Sequence, residues 1–158
     1  MDYKKLLLQA NEVAKRAKEK GNHPFGAILV DEEGNVLLEQ ENVENTGKNS
    51  IGHAETMLMY NAGKKYSKEE LWNYTMVTTC EPCAMCTGAV YWTNVGRIVY
   101  GLSERMLLAQ TGSDDRNPTF DLSSRDVVAR GQKDIEVVGP FPELEEELLE
   151  VHKGYWNK

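Results

Sequence analysis

The chain has 158 residues, a hydrophobic content of 41%, a charged content of 27% and a formal net charge of −7 at pH 7. These values are typical of one soluble globular domain, residues 1–158, and the acidic excess argues against a polyanionic partner such as RNA, because phosphate contacts require clustered lysines and arginines. No apolar run approaches the roughly 18 residues that suggest a membrane span, and the charged N-terminus is not typical of a signal peptide, so we expect a cytoplasmic protein.

The N-terminal half predicts a helix, a β-hairpin and a second helix. Apolar residues recur at helical spacing from Leu6 to Ala17, and Gly21 closes this first amphipathic helix. Two apolar runs then flank the turn sequence Glu33-Gly34-Asn35, which is a hairpin signal. The helical pattern returns from His53 to Ala62 and ends at Gly63.

Strands and helices alternate in the next part of the chain. The stretch YTMVTTC is rich in β-forming residues and predicts a strand. Pro82 suits the first turn of a helix, which we expect to run to about Trp92. GRIVYGL predicts another buried strand, and a short helix follows from an N-cap at Ser103 to Gly112.

The C-terminal part begins with a polar stretch, residues 113–133, which predicts a loop with at most a turn over Val127–Arg130. IEVVGP predicts the last strand, and Pro142 opens a last helix. Strands that alternate with helices after a hairpin are typically parallel and joined by crossover helices on both faces. We therefore expect an α/β fold, a three-layer α/β/α sandwich over a mixed sheet of about five strands.

All three cysteines lie within seven residues, and they raise the question of a disulfide, a redox pair, core packing or a metal site. An odd number of cysteines without an export signal disfavours a disulfide framework, and Cys80 at a strand end is interpreted as core. Cys83 and Cys86 lie one helical turn apart at a helix start, which favours their thiolate forms. His53 begins the preceding crossover helix at the same sheet edge. These three ligands predict one catalytic Zn²⁺ per chain, with water at its fourth position.

Glu55 lies two residues after His53, where it would reach the zinc-bound water without being a ligand. A carboxylate in that place can take a proton from the water and pass it to a leaving group. A closed structural zinc site has no use for such a group. A non-catalytic zinc-binding interaction domain is the alternative, and Glu55 discriminates between the two.

The segments His53-Ala54-Glu55 and Pro82-Cys83-Ala84-Met85-Cys86 together resemble the H-x-E…P-C-x-x-C signature of the zinc-dependent cytidine/deoxycytidylate deaminase superfamily. GNHPFGAILVDEEG, TTCEPCAMCTGAVYW and the C-terminal aromatic tail resemble its bacterial guanine deaminase branch, whereas RNPTFDLSSRDVVARGQKD departs from it. The resemblance implies a cytidine deaminase-like fold and hydrolysis of guanine to xanthine and ammonia. Cytosine or a nucleoside, guanosine included, is the alternative substrate. A transfer-RNA adenosine deaminase is a further alternative, but it would require a basic surface, whereas this chain is acidic.

The resemblance also implies which residues contact the substrate. Asn42 would read the edge of the base, and Phe25 and Trp92 would form walls of the pocket. Ala54, inside the histidine motif, would contact the substrate as well.

Two further roles follow from the same resemblance. Asp114, or Asp115 beside it, would assist proton transfer to the purine. Members of the guanine deaminase branch are dimers whose C-terminal tail can close the partner's active site, and Tyr155 and Trp156 are the candidates for that contact.

Overall fold

The computed structural model describes residues 1–157, in which helices and strands alternate along most of the chain. The helices are α1 (Tyr3–Glu19), α2 (Ala54–Lys65), α3 (Lys68–Trp72), α4 (Ala84–Thr93), α5 (Glu104–Thr111), α6 (Ser124–Ala129) and α7 (Glu145–Leu149). The strands are β1 (Gly26–Val30), β2 (Val36–Glu41), β3 (Thr75–Cys80), β4 (Arg97–Leu102) and β5 (Glu136–Val138). Short 3-10 turns, Pro142–Leu144 and Glu150–His152, flank α7.

The five strands form one mixed sheet in the order β2-β1-β3-β4-β5. β1 is antiparallel to both of its neighbours, β2 and β3, whereas β3, β4 and β5 are parallel. As a result β2, β3, β4 and β5 all run in one direction, and their carboxyl ends meet at one edge of the sheet. The chain leaves β2 and β3 at this edge to enter α2 and α4, so the starts of these two helices are brought together there.

Helices cover both faces of the sheet. Successive side chains of a strand point to opposite faces, and the buried side chains of this sheet alternate accordingly between two apolar clusters. Ile28 and Val77 belong to a cluster with residues of α1, α5 and α7. Leu29 and Met76, their neighbours in sequence, belong to a second cluster with residues of α2, α3, α4 and α6. This arrangement confirms the expected three-layer α/β/α sandwich. Within residues 1–157 no helix is both long enough and apolar enough to cross a membrane.

The structure differs from the sequence expectations in several elements. Helix α2 continues past Gly63 and ends at Lys65. Helix α3 was not predicted, although Ser67 and Glu70 form a capping box at its start. Helix α6 lies inside the stretch expected to be a loop. Pro82 does not open α4, which begins at Ala84 with Cys83 as its N-cap. The N-cap position of Cys83 still leaves both cysteines at the helix start.

Candidate active site

Three metal-binding side chains meet at the edge of the sheet where α2 and α4 begin. His53 is the N-cap of α2 and Cys83 is the N-cap of α4, with Cys86 in the first turn of the same helix. Their ligand atoms all lie within 4.8 Å of one another, and Nδ1 of His53 is 3.6 Å from Sγ of Cys86 and 3.7 Å from Sγ of Cys83. Tetrahedral zinc with ordinary bond lengths needs nitrogen–sulfur separations of about 3.6 Å. The donor set therefore fits zinc in chemistry and in spacing.

The electrostatics of this site also suit a cation. The hydrogen bond from the Cys86 thiol, together with the contact with His53, outweighs burial and lowers the pKa of Cys83 to about 4, so Cys83 is a thiolate at neutral pH. Burial alone would lower the pKa of His53, but the contact with Cys83 and the nearby negative charges outweigh it and raise that pKa to about 9. Cys83 thus supplies a negative charge where the three ligand atoms converge, while the hydrogen bond to Cys83 and burial raise the pKa of the Cys86 thiol.

Glu55 follows His53 in the first turn of α2 and is only 6% exposed. Burial raises the pKa of its carboxyl to about 7, while the charge of His53 opposes the increase. A carboxyl group with such a pKa exchanges protons readily at neutral pH, which is what general acid–base catalysis requires. The structure places this group in the wall of the cavity that also contains His53 and Cys83.

Asn42 lies at the end of β2, and its side chain is engaged with Glu44. Nδ2 of Asn42 donates to Oε1 of Glu44 at 2.8 Å, and the backbone N–H of Glu44 donates to Oδ1 of Asn42 at 3.0 Å. Asn42 is 1% exposed, and Glu44 rather than Asn42 forms this part of the cavity wall. The role of Asn42 in reading the base remains a prediction, since in the structure its amide orients Glu44.

The cavity beside the metal ligands has a volume of about 710 Å³. Phe25 lies in its wall, whereas Ala54, the first residue of α2, is fully buried in the second apolar cluster; the substrate contacts of both residues stay predictions. Acidic residues in the lining outnumber Lys48 and Arg116; they are Glu44, Glu55, Glu81, Glu104 and Asp115. This charge distribution favours an uncharged or donor-rich ligand over a phosphorylated one.

Trp92 does not line the cavity. It lies near the end of α4 with 75% of its surface exposed, and its ring contacts that of Tyr91 edge-on. The expected role of Trp92 in forming a wall of the pocket stays a prediction, since this chain by itself does not bring the ring to the cavity. The reason is the helical phase: Cys83 and Cys86 turn toward the site, whereas Trp92 points away from it on the outside of α4.

Asp115, not Asp114, lies in the cavity wall. Asp114 is held by Arg116, whose Nη2 donates to Oδ2 at 2.7 Å, and the same carboxylate oxygen accepts from the backbone N–H of Asn157 at 2.6 Å. These contacts keep the pKa of Asp114 well below its usual range. A carboxylate whose pKa is lowered in this way is poorly suited to carry protons at neutral pH, which favours Asp115 of the two; the proton-transfer role itself stays a prediction.

The C-terminal tail folds onto its own chain. The hydroxyl oxygen of Tyr155 is 2.7 Å from Nδ1 of His23, and the ring of Trp156 stacks on His23 at 5.6 Å and tilts against Phe25 at 5.9 Å. Trp156 is buried in this position. Within one chain Trp156 therefore packs against Phe25, which lines the cavity of the same chain, and the contact of the two aromatics with a partner's site stays a prediction.

Sequence reasoning missed the buried carboxyl groups around the ligands. Glu44 and Glu104 lie in no recognisable motif, and Glu81 is noticeable only because it stands directly before Pro82 in the cysteine segment. The useful signal was the position of each glutamate, one or two residues beyond the end of a predicted strand. Ligands in open α/β sheets bind at the carboxyl ends of the strands, so polar residues there are candidates for the site.

Comparison with known proteins agrees with this geometry. The sequence profile of the cytidine and deoxycytidylate deaminase zinc-binding region matches residues 1–102. A probable cytosine deaminase of Schizosaccharomyces pombe is 37% identical over 151 residues, which are 96% of this chain and 90% of that protein. The guanine deaminase of Bacillus subtilis is 32% identical over 116 residues, which are 73% of each protein.

A solved structure of guanine deaminase from Nitrosomonas europaea has the same fold. It superposes with a TM-score of 0.75 over 95% of this chain and 82% of that chain, at 22% sequence identity. The family match and the metal-ligand geometry confirm the expected zinc-binding deaminase. The chain belongs to the cytidine and deoxycytidylate deaminase family and is a zinc-binding, hydrolytic nucleobase or nucleoside deaminase.

Proposed function

We propose that the chain, as one domain over residues 1–158, deaminates guanine to xanthine and ammonia. The observation that carries this proposal is the buried carboxyl group of Glu55 in the wall of the cavity that also holds the metal ligands His53 and Cys83. Burial raises its pKa to about 7, where one group can both accept and donate a proton.

The reaction needs two proton transfers, and Glu55 is proposed to perform both. Zinc, held by His53, Cys83 and Cys86, would supply Lewis acidity toward the attacking water. As the water oxygen bonds to C2 of guanine, Glu55 takes a water proton and gives it to N3. Glu55 then takes the remaining hydroxyl proton and gives it to the amino group. The C2–N bond breaks, ammonia leaves and the C2 carbonyl of xanthine forms.

The cavity supports guanine in size and in charge. A volume of about 710 Å³ leaves room for a bicyclic purine beside the ligands. Guanine carries adjacent N–H donors at N1 and at its amino group, and carboxyl groups are the acceptors that such donors prefer. The lining contains five acidic side chains, Glu44, Glu55, Glu81, Glu104 and Asp115.

Cytosine is the second candidate substrate. It is favoured by the 37% identity to a probable cytosine deaminase, which extends over 96% of this chain. A nucleic-acid substrate is disfavoured, because the net charge of −7 and the acidic cavity lining would repel phosphates.

We also propose that two copies of the chain associate through the outer layer formed by α2 and α4. Tyr60 on α2 is 61% exposed and Trp92 on α4 is 75% exposed, and large aromatics left this open are enriched at protein–protein interfaces. A second copy would cover these rings while each tail remains on its own chain.

The test of the proposed function is ammonia release from guanine, guanosine, cytosine, cytidine, adenine and transfer RNA. Wild-type protein should release ammonia fastest from guanine. Glu55→Ala should keep its zinc and lose about 10²- to 10⁴-fold in kcat, the range for a missing general acid–base group. Turnover of cytosine but not guanine would disprove the substrate. Equal activity of Glu55→Ala and wild type would disprove the role of Glu55.

A further inference from the structure

Glu104 is a buried carboxyl group, one of whose oxygens has no hydrogen-bond partner within residues 1–157. It lies in the first turn of α5, is 5% exposed and forms part of the cavity wall. Its Oε2 atom is inaccessible to solvent and unpaired. Leaving a buried acceptor unsatisfied is energetically unfavourable, and more so if the group is charged. This energetic cost suggests that a partner arrives from outside the chain.

The neighbouring Glu81 shows that the fold can satisfy a buried carboxyl group at this place. Oε1 of Glu81 accepts from the backbone N–H of Glu104 at 3.0 Å, and Oε2 accepts from the backbone N–H and the hydroxyl of Ser124 at 2.8 and 2.6 Å. Glu81 thereby ties the start of α5 to the start of α6. The backbone N–H of Glu104 is held by Glu81, while Oε2 of its own side chain has no hydrogen-bond partner within residues 1–157.

The charges around Glu104 define what that ligand must offer. Burial, followed by the charges of Cys83 and Glu81, raises the pKa of Glu104 to about 8. Arg116, a cation in the same lining, already donates hydrogen bonds to Asp114 and to the backbone carbonyl of Tyr155. A neutral ring with an N–H donor would satisfy the carboxyl oxygen without requiring another buried charge.

On the basis of the proposed function, we propose that Glu104 is a specificity-determining residue that accepts a hydrogen bond from an N–H group on the edge of the substrate ring. For guanine the donors available are the ring N–H groups and the amino group. Oε2 of Glu104 then has a hydrogen-bond partner only when the base is bound. Glu104 therefore selects for bases that present such a donor and against rings in which the donor is methylated or replaced by an acceptor.

Two substitutions separate this role from a structural one. Glu104→Leu removes the acceptor at similar volume, and Glu104→Gln retains a carbonyl acceptor. We expect Glu104→Leu to lose about 10- to 100-fold in kcat/KM for guanine, since a lost hydrogen bond that leaves a donor unpaired is worth about 1–3 kcal/mol. Glu104→Gln should stay within about fivefold of wild type. Zinc content should be unchanged, and Tm of the Leu variant should not fall, because an unsatisfied buried group is removed.

A binding measurement gives a readout that does not depend on turnover. Guanine should bind to Glu55→Ala about 10- to 100-fold more tightly than to the double variant Glu55→Ala, Glu104→Leu, for the same energetic reason. The exposed substitution Glu147→Gln serves as the control and should change neither Kd nor kcat/KM. Equal Kd values in the two backgrounds would overturn the role of Glu104. A loss of activity with lowered Tm in both Glu104 variants would also overturn it, since that is the signature of a structural residue.

Different results would reject guanine as the substrate and the role of Glu104 in selecting it. If wild-type protein released ammonia from cytosine only, guanine would be rejected as substrate, and the same Glu104 variants would be compared with cytosine, whose ring N–H is the donor. Unchanged kcat/KM for the substrate that wild type does turn over would reject the inference alone.

Discussion

Oε1 of Glu44 lies 3.6 Å from Nε2 of His53, while Nδ1 of the same ring faces Sγ of Cys83 and Sγ of Cys86. A carboxylate on the Nε2 side favours the tautomer that carries its proton there and leaves the Nδ1 lone pair for a metal. Asn42 holds this carboxylate through its side-chain amide. Asn42, which was expected to read the base, thus orients Glu44, and Glu44 in turn orients the metal ligand His53.

Replacing Glu44 is expected to weaken zinc binding without removing a ligand. Loss of a carboxylate that orients a metal-bound histidine costs typically 10- to 100-fold in affinity, so Glu44→Gln should raise the Kd for zinc by about that factor. Competition with a chromogenic chelator measures it directly. Glu39→Gln on the exposed side of β2 is the control and should leave the affinity unchanged. An unaltered zinc Kd in Glu44→Gln would mean that the Glu44–His53 contact does not orient the ring.

The fold and the metal ligands were predictable because they follow from regular patterns. The alternation of apolar residues identified the strands, and helical spacing identified α1, α2 and α4. His53, Cys83 and Cys86 were recognisable because their spacing, combined with parallel strands, brings helix starts to one edge of the sheet. Short helices such as α3 and α6 escaped, since five or six residues hold too little periodicity to be distinguished from a turn.

The rest of the site depends on which way individual side chains point, and sequence patterns do not determine that in irregular segments. Asp114 and Asp115 are adjacent and chemically identical, yet one pairs with Arg116 and the other lines the cavity. The tail likewise carries two aromatics whose packing partner depends on tertiary contacts. Glu44 and Glu104 acquire their roles only from the neighbours that the fold provides.

The C-terminal tail is fixed to the loop that lines the cavity, and Arg116 is the main link. Its Nη2 atom donates to the backbone carbonyl of Tyr155 at 2.8 Å, and its guanidinium lies 5.0 Å from the Tyr155 ring and 5.5 Å from the Trp156 ring. Arg116→Ala should therefore increase amide hydrogen exchange in residues 153–157 and raise KM severalfold, because the cavity wall loses its support.

Hydrogen exchange followed by mass spectrometry distinguishes this effect from a general loss of stability. Arg105→Ala breaks an exposed ion pair with Asp121 and is the matched control, which should leave exchange in the tail unchanged. Protection of the tail in Arg116→Ala equal to that in wild type would show that the aromatic packing alone is sufficient to hold it.

The proposed dimer predicts a specific sensitivity to charge on the outside of α4. Trp92→Glu should shift the protein from dimer to monomer, because an unpaired charge would be buried in the interface. Sedimentation velocity at micromolar concentration measures the change. Leu122→Glu, at an exposed position that belongs to neither α2 nor α4, should remain dimeric. Wild-type protein that sediments as a monomer would contradict the dimer.

His152 predicts a loss of stability in mild acid. The imidazole is buried, Nε1 of Trp156 donates to its Nδ1 at 3.0 Å, and the Sγ atom of Cys80 lies 3.7 Å from its Nε2. Burial, with a smaller effect of the charge on Lys18, lowers the pKa of His152 to about 4. Burial also raises the pKa of the Cys80 thiol, so that neighbour stays neutral.

The direction of the pH effect on the free energy of unfolding follows from proton binding to His152. Between pH 6.5 and about 4 the unfolded chain binds a proton at His152 and the folded chain does not, so the free energy of unfolding decreases as pH falls through this window. The loss attributable to His152 amounts to at most about 3 kcal/mol. Urea unfolding of wild type and His152→Asn at several pH values measures the contribution of His152 to the free energy of unfolding, because Asn retains an acceptor for Trp156 and does not titrate. The variant should show a flatter dependence on pH above pH 4; parallel profiles would mean that His152 is not kept neutral by the folded state.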